Sequence, residues 1–379
     1  SQDSSTSSPS VPETPYTQWM YPPSAVGTDA LRFGFTRPPE VAKLGVNTDL
    51  NLIRRITRMG SLSFDGITSI ESGVSYSAAA VGNYDASKVA NSLKKTGFQK
   101  SGTYSGYDIY EGTYRGADFS MGVEDAGETL LVGAGSESQG STEILKTSVD
   151  MHSGKIQPYY KKSSDIATLV SNLGDASRVT GSKVPQGQAK NNEVAKGSGI
   201  SINKDGMANA NFVVVFDTES DTDKQVVRKS VNAENDEITK VLSYADDVSI
   251  KKNGRAVVAS GTVHAQVLAT VFESNNQAIE VENGITKTDT LYIRIEYRNN
   301  PFNFDHFEVV FSGDADAKVR MNKLGSQAVI HKSELLTRGG AKKLAFNDGI
   351  EKGETVTVKV VGVKGNERYT VKKTEVKIG

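Results

Sequence analysis

The chain contains no cysteine. That removes disulfide staples, thiolate metal centres and thiol nucleophiles together, and it fits either a reducing compartment or an exported body large enough to hold on its core alone. Tryptophan occurs once, at Trp19, and histidine four times, at His152, His264, His306 and His331, with no two close enough in sequence to form a local ligand pair. Charge of one sign is not in excess either: Lys plus Arg number 44 against 45 for Asp plus Glu, a formal charge of -1. Such a balance predicts no broad footprint for DNA or RNA, and the pairs Arg54–Arg55, Lys161–Lys162, Lys251–Lys252 and Lys372–Lys373 read as solvated faces. No apolar run approaches the ~18 residues of a membrane helix and no signal peptide is present, so an exported chain would be a processed form.

At 379 residues the chain is too long for one compact core. Its composition divides it into a Ser/Thr/Pro-rich extended arm (1–21), an α+β domain (22–155), a second α+β domain (156–280) and a β-sandwich domain (281–379). The arm opens SQDSSTSSPSVPETP, which has almost nothing to bury and is stiffened by proline. YTQWMY follows. Its aromatic residues either cap the first domain's core or, as Trp19, Met20 and Tyr21, anchor a partner.

In the first domain, Leu31 to Phe35 alternates as a strand, Pro38 and Pro39 open a helix, and Leu50, Ile53 and Ile56 have helical spacing. Ile67 to Val81 reads as strand. Asp85 caps a helix through Leu93 that Gly97 ends. Four short strands between Phe98 and Val132, separated by SGTYSG, GTYRG and EDAGE, make a meander rather than a parallel doubly wound sheet. In the second domain, Ser164 and Asp165 cap a helix ended by Gly174, Ala208 to Phe216 is a buried strand, Thr222 to Ala245 a helix, and Asn253-Gly254 a hairpin turn. Gly181 to Gly199 lacks apolar periodicity and is expected as a long surface loop. The two domains share an outline that hints at duplication.

Two stretches invite a chemical reading. Leu130 to Leu145, LLVGAGSESQGSTEIL, comes one residue from a phosphate-cradling loop, but Ser141 stands where the phosphate-reaching lysine belongs. The expected alternative is a helix start with Ser141 as cap and Glu143 or Glu137 facing the dipole. Asp217, Glu219, Asp221 and Asp223 alternate as a calcium loop would, without its central glycine or its twelfth-position acid; Thr222 or Asp221 as a helix cap is the simpler account. HExxH, GxSxG and a Ser/His/Asp arrangement are missing. The sequence therefore nominates no catalytic residue, no cofactor and no metal site.

From Leu291 onward the pattern is all β. LYIRIEYRNNPFNFDHFEVVF holds two alternating runs joined by an Asn/Pro elbow, a hairpin or sandwich corner, and further strands fall at 317–321, 328–331, 343–346, 355–363 and 367–378. About seven strands between Gly turns predict an Ig-like sandwich.

WMYPPSAVGTDALRFGFTRPPEV, GYDIYEGTYRGADFSMGVEDAGETLLVGAG and the Ser/Thr/Pro leader together resemble exported surface proteins and lipoproteins of halophilic archaea, and the tail around FNFDHFEVVFSGDADAKVRMN is similar to the β-sandwich heads of archaeal pilins. The resemblance implies a non-enzymatic structural or adhesive protein, outside the cell or on its surface, that self-associates as a pilus-like filament subunit or contacts other surface proteins. An extracytoplasmic ligand- or glycan-binding protein using the cleft between the α+β domains is the alternative, and an extracytoplasmic hydrolase the third.

Overall fold

The computed structural model describes residues 14–26, 31–37, 66–72, 75–135, 139–185, 187, 189–203, 205–234, 236–272, 279–285, 291–297, 304–313, 327–331, 341–345 and 355–377. The strands of the main body are β1 (Leu31–Thr36), β2 (Gly66–Ser72), β3 (Ser75–Val81), β4 (Gln99–Tyr104), β5 (Tyr107–Tyr114), β6 (Ala117–Glu124), β7 (Thr129–Ala134), β8 (Arg178–Lys183), β9 (Glu193–Ile202), β10 (Met207–Phe216), β11 (Ser249–Asn253) and β12 (Ala256–His264). Its helices are α1 (Ala86–Lys95), α2 (Ser141–His152), α3 (Ser164–Leu173), α4 (Lys224–Asn232), α5 (Glu237–Leu242) and α6 (Gln266–Val271). All twelve strands lie in one antiparallel sheet, in the order β11-β12-β10-β9-β8-β1-β2-β3-β7-β6-β5-β4.

Strand alternation decides which layer each side chain joins. In β10, Val213 and Val215 enter one buried cluster while Phe212, Val214 and Phe216 enter another; in β7, Leu131 goes one way and Leu130 and Val132 the other. One face therefore carries α2 and α3 over its middle, through Ile144, Leu145, Val149, Ile166, Leu169 and Val170. The opposite face is covered at its two ends, by α1 (Val89, Leu93) over β7 and β6, and by α4 and α5 (Val227, Val231, Val241, Leu242) over β10 and β12. Helices packed on antiparallel sheet make an α+β architecture.

The caps are local. Asp85 accepts from Lys88 N at 3.0 Å to start α1; Ser163, not the expected Ser164 or Asp165, accepts from Ile166 N to start α3, those two being its first helical residues; and Gly174 ends α3 at φ 66°. The expected helix from Thr222 to Ala245 is two helices. Glu234 takes a left-handed φ of 49°, and Asp236 with Thr239 forms a capping box that starts α5 afresh. The meander from β4 to β7 is as expected, its first two turns made by Ser105-Gly106 and Arg115-Gly116, each with positive φ at both residues.

Read outward from the β1–β8 seam, the sheet repeats itself: β1-β2-β3 with β7-β6 returning against β3, and β8-β9-β10 with β12-β11 returning against β10. A helix follows each first group, α1 in one half and α4 with α5 in the other, and each half closes with a helix, α2 or α6. The hairpin β4-β5 is extra to the first half. Strands from residues 22–155 and 156–280 thus share one sheet, joined by six residue pairs from Leu31↔Lys183 to Thr36↔Arg178.

The expected surface loop at 181–199 is overturned: β8 and β9 occupy much of it, near the middle of the sheet. The stretch lacks apolar periodicity because glycine does its packing. A Cβ on Gly181 would sit 2.3 Å from the Phe33 ring, and one on Gly197 would sit 2.6 Å from the Thr180 carbonyl oxygen and 3.1 Å from Leu173. The bare backbone lets α3 and the β1 rings lie directly on the strands.

The remaining strands are β13 (Ile279–Ile285), β14 (Leu291–Tyr297), β15 (His306–Gly313), β16 (Gln327–His331), β17 (Ala341–Ala345), β18 (Thr355–Lys364) and β19 (Glu367–Lys377). They form two antiparallel sheets, β13-β14-β17 and β16-β15-β18-β19. β14 and β15 fall in different sheets and so do not pair as a hairpin; the Asn/Pro elbow between them lies outside the described residues. The strand expected at 317–321 and the helical spacing at 49–59 lie outside the described residues.

β19 docks on the main body through side chains. The Tyr244 hydroxyl accepts from Lys373 N at 3.0 Å and donates to Lys373 O at 3.2 Å, Thr270 Oγ1 donates to Val371 O at 3.0 Å, and His264 packs against the rings of Phe304 and Tyr369 at 4.7 and 4.8 Å.

Gly197→Ala is expected to lower unfolding stability by about 1–3 kcal/mol in denaturant titration, because the clashing partner is backbone and cannot swing aside.

Candidate functional site

The residues nominated from sequence as partner anchors lie in a short segment threaded across the α2–α3 face. Proline sets its ends, Pro15 before a 3-10 turn at Thr17–Trp19 and Pro22-Pro23 after it. Thr17 ties the turn by donating from Oγ1 to Thr14 O at 2.9 Å and accepting from Thr14 N at 3.2 Å. The turn throws four large side chains inward. Tyr16 stacks on Phe33 and tilts against Phe35, with centroids at 6.2 and 5.4 Å, and donates to Gly174 O at 2.8 Å. Burial drives its phenol pKa well above the ordinary value. Trp19 stacks on His152 at 4.8 Å, within 9° of parallel, at the end of α2. Met20 O accepts from Tyr159 N at 2.8 Å.

Trp19, Met20 and Tyr21 are 3%, 0% and 1% exposed, so the core-capping reading holds and surface anchoring by these side chains in place does not. Their apolar area finds its partner in the body's own helices and strands, at roughly 1.5–3 kcal/mol for each such side chain. The burial is imperfect: Trp19 Nε1 has no hydrogen-bond partner among the described residues. Residues 14–21 are a packed turn, not an extended arm; residues 1–13 lie outside the described residues.

The glycine loop opens a cleft of about 940 Å³ between the β5-β6 hairpin and the start of α2. Gly140 is the N-cap of α2, and Ser141, expected as cap, is the first helical residue and bonds Ser120 Oγ at 2.8 Å instead. Glu143 lies in the first turn; Glu137 is outside the described residues. A Cβ on Gly133 would meet Ser141 O at 2.4 Å and one on Gly135 would meet Gln139 O at 2.1 Å, so the glycines serve helix–strand contact. Thr142 shares Ser120 and donates to Glu111. With Glu111, Asp118 and Glu143 in its wall, the cleft repels phosphate.

In the acidic loop, Asp221 accepts from Thr218 N, Thr218 Oγ1 and Asn192 Nδ2, which holds its carboxyl below the ordinary value, and it caps no helix. Asp223 caps α4 through Gln225 N at 2.7 Å. Among the described residues no group of three or more His, Cys, Asp or Glu is placed to hold a metal ion. Register sets His306 opposite His331, a juxtaposition invisible at a separation of 25 in sequence (331 minus 306).

Comparison with family models gives no match, and comparison with curated proteins gives none. Among solved structures, crystal form I of TP0453 aligns over 67% of this chain and 97% of its own, at 14% identity and a TM-score of 0.36. A likeness at that score carries no functional inference. No helix among the described residues is long and apolar enough to cross a membrane.

Folding also shifts the imidazole of the buried His264. Burial, with Lys364 adding to it, pushes its pKa from 6.5 down to about 4. The unfolded chain binds the proton first, so stability is full above about pH 6.5 and falls as pH drops toward 4, by up to about 3 kcal/mol. Denaturation midpoints measured across that window should show the fall, and His264→Asn should flatten it.

Proposed function

We propose that this chain is an exported, non-enzymatic structural or adhesive protein, displayed on a cell surface or assembled into a filament, with residues 281–379 as an Ig-like sandwich. The observation that carries this reading is the continuity of the platform. Twelve hydrogen-bonded strands at ~4.8 Å spacing span roughly 55 Å. The four-stranded carboxyl-terminal sheet is fastened to its β12 end through Tyr244, Thr270 and His264. Groups with chemical potential are spent on holding it together: Ser77 on Ser148, Asp150 on Tyr104 and Lys155, Asp165 on Arg255. Such a body transmits load and presents surface.

The open edges of the platform are guarded. β4 carries Lys100 and a bulge between Lys100 and Gly102, and β11 carries Lys251 and Lys252, features that oppose edge-to-edge pairing. Contact through the amino-terminal side fits the reading better than edge pairing.

Electron microscopy of the concentrated full chain is expected to show filaments or ordered arrays. Particles that stay dispersed at every concentration, together with a saturable rise in Tm on adding a small polar ligand, would place the protein among binding proteins instead.

A further inference from the structure

We propose that residues 14–26 leave their own seat and fill the same seat on a second copy of this chain, joining copies by exchanged amino-terminal segments. This names the contact for the assembly reading above and rests on it.

The seat spans both halves of the body. Tyr16 lies on β1 and at the end of α3, Trp19 on the end of α2, and Met20 beside Tyr159. It is built from the body's side chains and backbone, so it recognises the thirteen-residue segment by shape and ring contact whichever copy supplies it. Tyr16, Trp19, Met20 and Tyr21 are the side-chain types, fully desolvated, that anchor protein interfaces.

The hold on the segment is incomplete in one respect. Trp19 Nε1 is buried without a partner among the described residues. It is desolvated with no bond in return, which lowers the cost of withdrawal relative to a fully satisfied insert. What favours the segment's own seat is the tether: residues 27–30 link it to β1, and a tether that short sets a local concentration in the millimolar range. Exchange therefore follows crowding of copies, or a tether too short to reach home.

The test deletes Thr28 and Asp29 from the full chain, cutting the tether's reach by about 7 Å. Sedimentation velocity should show the variant associating at least ~10-fold more tightly than the parent, with Trp19, the sole tryptophan, keeping a buried, blue-shifted emission. A monomeric variant with red-shifted Trp19 emission overturns exchange, as does a variant that associates just as the parent does. In either case, filaments of the parent chain leave the assembly reading standing. Should the variant not fold by circular dichroism, isotopically heavy and light parent chains are mixed at about 1 mM and diluted rapidly. Hybrid oligomers that survive dilution support exchange, and their absence overturns it.

Discussion

The antiparallel ladder between β1 and β8 is the constraint on which the rest depends. Six residue pairs turn two halves of similar topology into one sheet, and they place Phe33 and Phe35 of one half against Gly181 and Val179 of the other. Those rings in turn form the floor on which Tyr16 lies. Without the ladder there is no continuous floor for α2 and α3 to cover, and no seat for the amino-terminal segment.

Glycine at the seam has an energetic purpose beyond turn-making. A side chain at Gly181 or Gly197 would push α3 and the β1 rings off the sheet, and the α2–α3 face would lose the close packing that buries Leu173, Val170 and the aromatic turn. Gly133 and Gly135 do the same for the start of α2. A stretch that resembles a phosphate loop in outline is thus a packing device, and the acidic wall of its cleft agrees with that.

The carboxyl-terminal module is held by a different kind of contact. Tyr244 and Thr270 offer hydroxyls to the backbone of β19 in place of a neighbouring strand, which satisfies part of an edge without opening it to pairing. His264 sits neutral against two rings at the same junction. A platform with guarded edges and a latched module suits a protein whose contacts are made by chosen segments.

Elements with local signals were legible in the chain itself: the cap at Asp85, the meander turns, the Asn253-Gly254 hairpin and the buried alternation of β10 are written within a few residues of where they act. The α+β class followed from them. The sheet's central strands β8 and β9 were hidden, because their packing depends on rings and leucines far away in sequence that take the space glycine leaves. The break after α4 was hidden for the opposite reason, since apolar spacing runs through it and only the backbone turn at Glu234 interrupts it. Whether Trp19, Met20 and Tyr21 cover a core or meet a partner could not be decided from an aromatic cluster alone. Tertiary structure decided it, because burial is a property of what the rest of the chain brings alongside.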